Sequence, residues 1–300
     1  MRKLIVIVGT NASGKSGLGV ELAREYGGEI VSADSRQVYA GMNLGSGKIT
    51  SEEMRGVPHH LLDVRRPGEF FSMADFQALA YEAIDGILDR GRLPFLVGGT
   101  GLYVASVTEG YVLSEQKPDP VLRAELETRS TLELYEMLKA RVPETDVDPK
   151  NRHRVMRMLE KLAAGDEGPA PRQPRYETLK LGVTWPREEL KRRIDERLER
   201  RLKEGMTEEV RALLEEGVSE EFLVKLGLEY KYLTWYLTGR MEYEQMKEEL
   251  GLAIKRFAKR QMTWFRKDPE IVWLDMAGDP AAQARPLIDA FLQGKDQENR

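Results

Sequence analysis

Apolar and polar positions follow two rhythms along this chain, and the change from one to the other marks out its architecture. Leu4 to Val8 is a short continuous run of leucine and β-branched residues, the pattern of a strand buried on both faces of a parallel sheet, and Gly9 ends it. From Ser16 to Tyr26 the period becomes helical through Leu18, Leu22 and Ala23, with Gly27 and Gly28 as the stop. Glu29 to Ser32 reads as a second strand, Ser72 to Arg90 as a helix, and Arg92 to Val97 as a third strand running into the turn Gly98-Gly99-Thr100-Gly101. Strand, helix, strand, helix, strand predicts right-handed crossovers and a parallel α/β sheet, with the working loops at the carboxyl ends of its strands. From Pro118 the texture changes to helices dense in Arg and Glu, with no strand-like run until Lys180 to Trp185. A proline-rich connection lies between, from Gly165 to Arg175. The expected organisation is an α/β core over 1–113, a helical insertion over 114–178, and the rest of the core with C-terminal helices over 179–300, ending in a frayed tail from Gln293.

Composition narrows the classes. A chain of 300 residues, 41% hydrophobic and 32% charged, can bury a core without cross-links and is neither disordered nor fibrous. There is no cysteine, which excludes a disulfide framework, a thiolate nucleophile and thiolate-bound metal, and fits a reducing, cytoplasmic setting. Three histidines, His59, His60 and His153, are too few for a histidine-built metal centre, and His59 and His60 read as ordinary loop or core residues. No segment reaches the roughly 18 to 20 apolar residues that cross a bilayer, and the opening run meets glycine too early for a signal peptide. The net charge of −4 gives the whole molecule no attraction to a polyanion, so any such contact must use a local basic face.

Gly9-Thr-Asn-Ala-Ser-Gly14-Lys15-Ser16 matches G-x-x-x-x-G-K-[ST] between a strand and a helix, the context in which that pattern is specific. Its glycines let the backbone fold around phosphate oxygens, successive N–H groups and the helix N-terminus attract the anion, Lys15 adds a point charge, and the Ser16 hydroxyl can hold Mg²⁺. The fold class expected is therefore a P-loop NTPase-like α/β parallel sheet core with a helical insertion domain and a helical C-terminal part. Most P-loop NTPases also carry a strand ending in an Asp that serves the Mg²⁺ and positions a water. Here the third strand ends in glycines and threonine, and Leu61-Leu62-Asp63 is only a short substitute, which weakens a hydrolase or motor reading.

Asp34 stands at the carboxyl end of the second strand, where a carboxylate can act as general base or metal ligand, although a strand-end Asp is commonly a cap or turn residue. Thr100, at the next strand end, can donate to a ligand oxygen or simply belong to a turn. Basic residues gather in three places. His153, Arg154 and Arg157 share a helix whose other side is Val155, Met158, Leu159 and Leu162, so the arginines point together into solvent. Arg193 and Arg197 stack one turn apart on a helix whose buried stripe is Ile194, Leu198 and Leu202. Lys255 to Lys267 interleaves cations with Phe257, Trp264 and Phe265. Cations among aromatics suit RNA, but a solvated charged face with the rings in the core produces the same pattern.

The full set of motifs resembles the tRNA dimethylallyltransferase (tRNA isopentenyltransferase) family. The likeness runs from the first strand to about Trp273: GTNASGKS, Asp34-Ser35 with Tyr39, PHHLLDV, FSMADF, LVGGTGLY, RVMRMLE and AKRQMTWFR occur in the family's order. The resemblance implies transfer of a dimethylallyl group from dimethylallyl diphosphate to the exocyclic N6 of an adenosine beside the anticodon. It implies that Thr10, Asn11, Ala12, Ser13, Gly14, Lys15 and Ser16 bind the diphosphate, helped by Arg197, with Mg²⁺ near Ser16. Asp34 becomes the general base, with Thr100 and Lys15 at the reacting centre. Asp34, Ser35, Arg36, Gln37, Thr100, Arg123, His153, Arg154, Arg157, Lys259, Arg260 and Gln261 match stretches that contact tRNA, and the insertion would clamp the anticodon stem-loop. The partners implied are tRNA and the prenyl diphosphate, with no membrane, and the protein is expected to be a monomer.

In such a transfer the diphosphate is the leaving group, which accounts for the missing water-positioning Asp. A small-molecule or nucleoside kinase, a non-catalytic RNA-binding protein, and prenyl transfer to free AMP or ADP are the rival readings. The sequence departs from the family pattern in Thr10, where Pro is usual; in Gly45-Ser46-Gly47-Lys48; in a shortened insertion; and in Glu229, which replaces a usual Gly at a position that neighbours RNA in the family.

Overall fold

The first apolar run forms β1 (Arg2–Val8), and its side chains divide between two cores: Leu4, Val6 and Val8 on one face, Ile5 and Ile7 on the other. Burying each stabilises the fold by about 1.5–3 kcal/mol, which is why this strand takes a central place. The structure is a computed structural model describing residues 2–113, 119–165 and 171–294. It falls into two compact units, Met1–Gly110 with Pro174–Arg300, and Tyr111–Gln173.

In the first unit, β1 is followed by α1 (Lys15–Glu25), β2 (Glu29–Ser32), α2 (Ser51–Met54), β3 (His59–His60), α3 (Met73–Asp89), β4 (Pro94–Gly98) and α4 (Gly101–Thr108). α3 starts where the sequence predicts, because Ser72 and Asp75 cap each other's backbone N–H groups in a capping box. The second unit holds α5 (Pro120–Glu127), α6 (Thr131–Arg141) and α7 (Arg152–Ala163). The first unit then resumes with β5 (Tyr176–Thr184), α8 (Arg187–Lys203), α9 (Met206–Glu215), α10 (Glu220–Leu226), α11 (Leu228–Leu237), α12 (Tyr243–Phe265), β6 (Val272–Asp275) and α13 (Pro280–Gln293).

The strands make one six-stranded sheet in the order β3-β2-β4-β1-β5-β6, and every pairing is parallel. Ile5 of β1 lies opposite both Phe95 of β4 and Leu179 of β5. α3 and α4 cover one face, and α1 and α13 the other. The helices α8 to α12 form a separate apolar cluster with Val38, Tyr39 and Met42. Because β2, β4 and β1 are neighbours, the loops that leave their carboxyl ends stand side by side.

Several expectations are corrected. β5 begins at Tyr176, so the expected end of the insertion at 178 falls inside a central strand. Two strands were not anticipated: β3 has two residues, too few to show any period, and β6 has four at the sheet edge with only Leu274 buried. His59 and His60 form that edge strand rather than a loop, and His60 Nε2 lies 2.7 Å from the buried Glu29 carboxylate. The expected start of the insertion at 114, residues 166–170 of the proline-rich connection and residues 295–300 of the tail lie outside the described residues. Among the described residues, no helix is long and apolar enough to cross a membrane.

The insertion has its own core of Leu126, Leu134, Leu138, Val147, Val155, Met156 and Leu159. The buried face of α7 is rotated from the one expected: Met156 is buried and Met158 only partly. The cause is Glu160, 4% exposed on the inner side, which draws Arg123 to 2.9 Å and Arg157 to 3.1 Å. Arg157 therefore does not point into solvent beside Arg154; it neutralises a buried carboxylate.

Candidate active site at the carboxyl edge of the sheet

The loop between β1 and α1 is shaped by two left-handed residues, Ala12 at φ 61° and Gly14 at φ 88°. Gly14 suits this because it has no Cβ to clash, whereas Ala12 holds a conformation that costs of order 1–3 kcal/mol and persists only where the surroundings enforce it. Such residues turn successive backbone N–H groups toward one point and make a concavity for an anion. Gln261 of α12 fastens the loop: its Oε1 accepts from Asn11 N at 3.0 Å, and its Nε2 donates to Gly99 O at 2.9 Å. Gln261, expected to contact tRNA, is instead buried with both ends of its amide committed to the protein.

Above the loop is a cavity of about 320 Å³, within the range of small-molecule sites. Its lining includes Asn11 to Ser16, Asp34, Gln37, Ser46 and Gly47, with Arg193, Arg197 and Arg201 along one wall and Glu229 beside them. Lys15, Ser16, Asp34 and Arg197 are thus brought together from three separate parts of the sequence. Burial pushes the Lys15 ammonium down to about 8, with Asp34 opposing that fall and Arg197 adding to it. Burial likewise lowers Arg197 to about 10, with Arg201 adding to the fall. Burial thus disfavours the charge on both Lys15 and Arg197, and an anion in the cavity would offset that.

Asp34 leaves β2 half-buried, and its Oδ1 accepts from Arg36 N at 2.9 Å, while Oδ2 has no partner among the described residues. Thr100 caps the start of α4, and its hydroxyl accepts from Ser35 N at 3.2 Å, so it links the loops after β2 and β4. Thr100 is not part of the cavity lining. Gln37 donates to Gly47 O at 3.3 Å and accepts from Ser32 Oγ at 3.1 Å. Asp63, the substitute for a water-positioning Asp, is outside the lining and pairs with Lys48.

Two features of the wall were only partly read from sequence. The spacing of Arg193, Arg197 and Arg201, each four residues apart on α8, was a legible signal for three guanidiniums on one face, although only Arg197 was assigned a role. Glu229 gave less warning. It is 2% exposed and pairs with Arg36 at 2.9 Å and Arg201 at 3.3 Å. Burial raises its carboxyl, but those two guanidiniums prevail and hold it below the ordinary carboxylate value. Arg36, expected at tRNA, is therefore tied inward, with its guanidinium 5.3 Å above the Phe257 ring.

On α12, Lys259 and Arg260 are exposed and make no ion pair among the described residues, and Trp264 is 45% exposed beside them. Phe265 belongs to the core instead. In the insertion, His153 and Arg154 are exposed, and the Arg154 guanidinium has no partner among the described residues.

The family model for IPP transferase matches residues 37–268. The chain is 46% identical over 287 residues to tRNA dimethylallyltransferase 2 of Syntrophotalea carbinolica, an alignment covering 92% of this chain and 95% of the relative. A crystal structure of the full-length tRNA isopentenylpyrophosphate transferase of Bacillus halodurans is similar with a TM-score of 0.75 and 38% identity, covering 98% of this chain and 97% of that one. A eukaryotic dimethylallyltransferase, described as acting on tRNA, gives a TM-score of 0.84 at 27% identity, covering 99% of this chain and 82% of that one.

Proposed function

This chain belongs to the IPP transferase family, and from that premise we propose how its cavity works as a tRNA dimethylallyltransferase, moving a dimethylallyl group from dimethylallyl diphosphate to N6 of an adenosine next to the anticodon. The observation that carries the reading is the convergence of Lys15, Arg197 and the left-handed loop on one cavity that also admits Asp34. The loop amides and the two cations hold the diphosphate. As the bond between C1 of the donor and its bridging oxygen breaks, the electron pair leaves with the diphosphate, and these same groups stabilise the growing negative charge. The N6 lone pair forms the new N–C bond, and the N6 proton passes to Oδ2 of Asp34, the oxygen that Arg36 N leaves free. Thr100 acts by holding Ser35, and through it Asp34, at the strand edge.

Among the described residues, no group of three or more acidic or histidine side chains is placed to hold a metal ion. Mg²⁺ binds readily through one or two protein oxygens plus phosphate and water, and the Ser16 hydroxyl at the cavity wall fits that sparse donor set. When bound on the diphosphate, it would supply further positive charge to the leaving group.

The adenosine must leave its stack, at a cost of a few kcal/mol that is smallest in a single-stranded loop. Lys259 and Arg260, which make no ion pair among the described residues, support binding of the anticodon stem-loop through phosphate, and in the insertion the exposed His153 and Arg154 support the same contact. In this reading the working unit is a monomer acting in the cytoplasm. Incubating the protein with labelled dimethylallyl diphosphate, Mg²⁺ and either unmodified tRNA or AMP tests the reading. Label in tRNA adenosine is expected; label in AMP alone would assign the chemistry to a free nucleotide.

A further inference from the structure

We propose that Arg193 is a second arginine for the diphosphate, one that the protein holds rigidly in place before the ligand arrives. The proposal rests on the reading of the cavity as a diphosphate site. Arg193 lines that cavity one helical turn before Arg197. Its Nε donates to Ala12 O at 3.1 Å, on the left-handed residue of the phosphate loop. Its guanidinium lies 4.5 Å from the centre of the Trp185 ring, and Trp185 Nε1 in turn donates to Ser13 O at 2.9 Å.

The two side chains therefore occupy the carbonyls of Ala12 and Ser13; Asn11 N and Ser13 N are bonded within the protein, and the amides of Ala12, Gly14, Lys15 and Ser16, which make no hydrogen bond among the described residues, remain for an anion. One edge of the Arg193 fork is used in this way, and the ring supports its flat face. The terminal nitrogens make no hydrogen bond or ion pair among the described residues. Nη2 stands 4.0 Å from the point a Cβ would occupy on Gly14, which places it over the turn where the loop becomes α1.

The neighbouring arginines differ in this respect. Arg192 is tied to Glu189 and Glu196, and Arg201 to Glu229. A guanidinium with a carbonyl at its back, an aromatic ring beneath it and two uncommitted donors toward an anion cradle is arranged for bidentate contact with a phosphate oxygen pair. Because its geometry is fixed beforehand, little ordering cost opposes that contact. The charge it meets increases as the C–O bond breaks, so the contact strengthens during the reaction as well as in binding.

The test compares the parent with Arg193→Gln, Arg193→Lys and Lys15→Ala, using inorganic pyrophosphate with Mg²⁺ as the calorimetric probe, and single-turnover transfer to tRNA at saturating donor. Arg193→Gln should weaken pyrophosphate roughly ten- to a hundredfold and slow the single turnover at saturating donor, leaving tRNA affinity and the unfolding midpoint near parental values. Arg193→Lys keeps the charge without the fork and should fall between the two. Should Arg193→Gln not fold, Arg193→Lys decides alone: parental pyrophosphate affinity would overturn the proposal. Weak binding by Lys15→Ala with parental binding by Arg193→Gln would sink the arginine's role and spare the cradle; parental binding by Lys15→Ala would sink the cradle itself.

Discussion

Raising the pH through 8 should discharge Lys15 in the empty cavity and weaken the diphosphate site. Its ammonium is lowered from 10.5 to about 8, chiefly by burial. At about 1.4 kcal/mol for each pH unit, the enclosed charge costs on the order of 3 kcal/mol before any ligand is present. A bound diphosphate gives the ammonium a counter-charge and restores its ordinary value, so binding must take up protons wherever the free lysine has lost them. The contribution of Lys15 to affinity should therefore be level below pH 7, begin to fall near pH 8, and then fall about tenfold per unit until the bound-state value is reached.

Uptake should be roughly a tenth of a proton at pH 7 and about a half at pH 8. Calorimetry of dimethylallyl diphosphate binding, without tRNA and in buffers of different ionisation enthalpy, counts those protons directly. The donor's own last ionisation, near 6 like other phosphate monoesters, still leaves about a tenth of it protonated at pH 7 but only about a hundredth at pH 8, so the uptake at pH 8 is the one that reports Lys15. Lys15→Arg keeps the charge and should abolish the uptake near pH 8. Affinity that stays constant from pH 7.5 to 9.5 with no proton uptake would refute the assignment of Lys15 as a buried, ligand-relieved cation.

Three other outcomes are expected. Asp34→Asn should slow single-turnover transfer at least a hundredfold, as the loss of a general base does, while tRNA affinity stays within a few-fold; near-parental turnover would remove Asp34 as the proton acceptor. Glu229→Ala leaves Arg36 and Arg201 buried without their shared counter-ion, so denaturant unfolding should report a loss of about 3 kcal/mol, and a loss under about 1 kcal/mol would mean that the guanidiniums find water. Arg154→Ala should lower the salt slope of tRNA affinity by about one phosphate contact. Arg157→Ala should lower it less, because that side chain serves Glu160, and the opposite order would reverse their roles.

What could be read from sequence was whatever depends on neighbours along the chain. The phosphate loop needs only a strand, a glycine-rich turn and a helix in succession, so Gly9 to Ser16 announced itself; Asp34 and Thr100 stood out as strand ends on one parallel sheet, but their roles came only from the family resemblance. Charge pairing across the fold was not legible. Glu229 and Arg201 meet over 28 positions, and no periodicity distinguishes a buried Glu from a solvated one. Arg157 and Gln261 were misread for the same reason: a cation or an amide on a helix looks free until the packing supplies a buried carboxylate or a loop for it to hold. The edge strands β3 and β6 were missed because short, half-exposed segments carry too few apolar positions to declare a period.

Prenyl transfer requires that the bond between C1 and the bridging oxygen break in the cavity, and heavy oxygen placed in that bridge of dimethylallyl diphosphate shows which bond is broken. With unmodified tRNA as acceptor, the heavy oxygen should depart in the released diphosphate while the five-carbon group appears on N6 of adenosine. Heavy oxygen retained on the prenyl carbon, or a phosphoryl group passed to an acceptor hydroxyl, would contradict it.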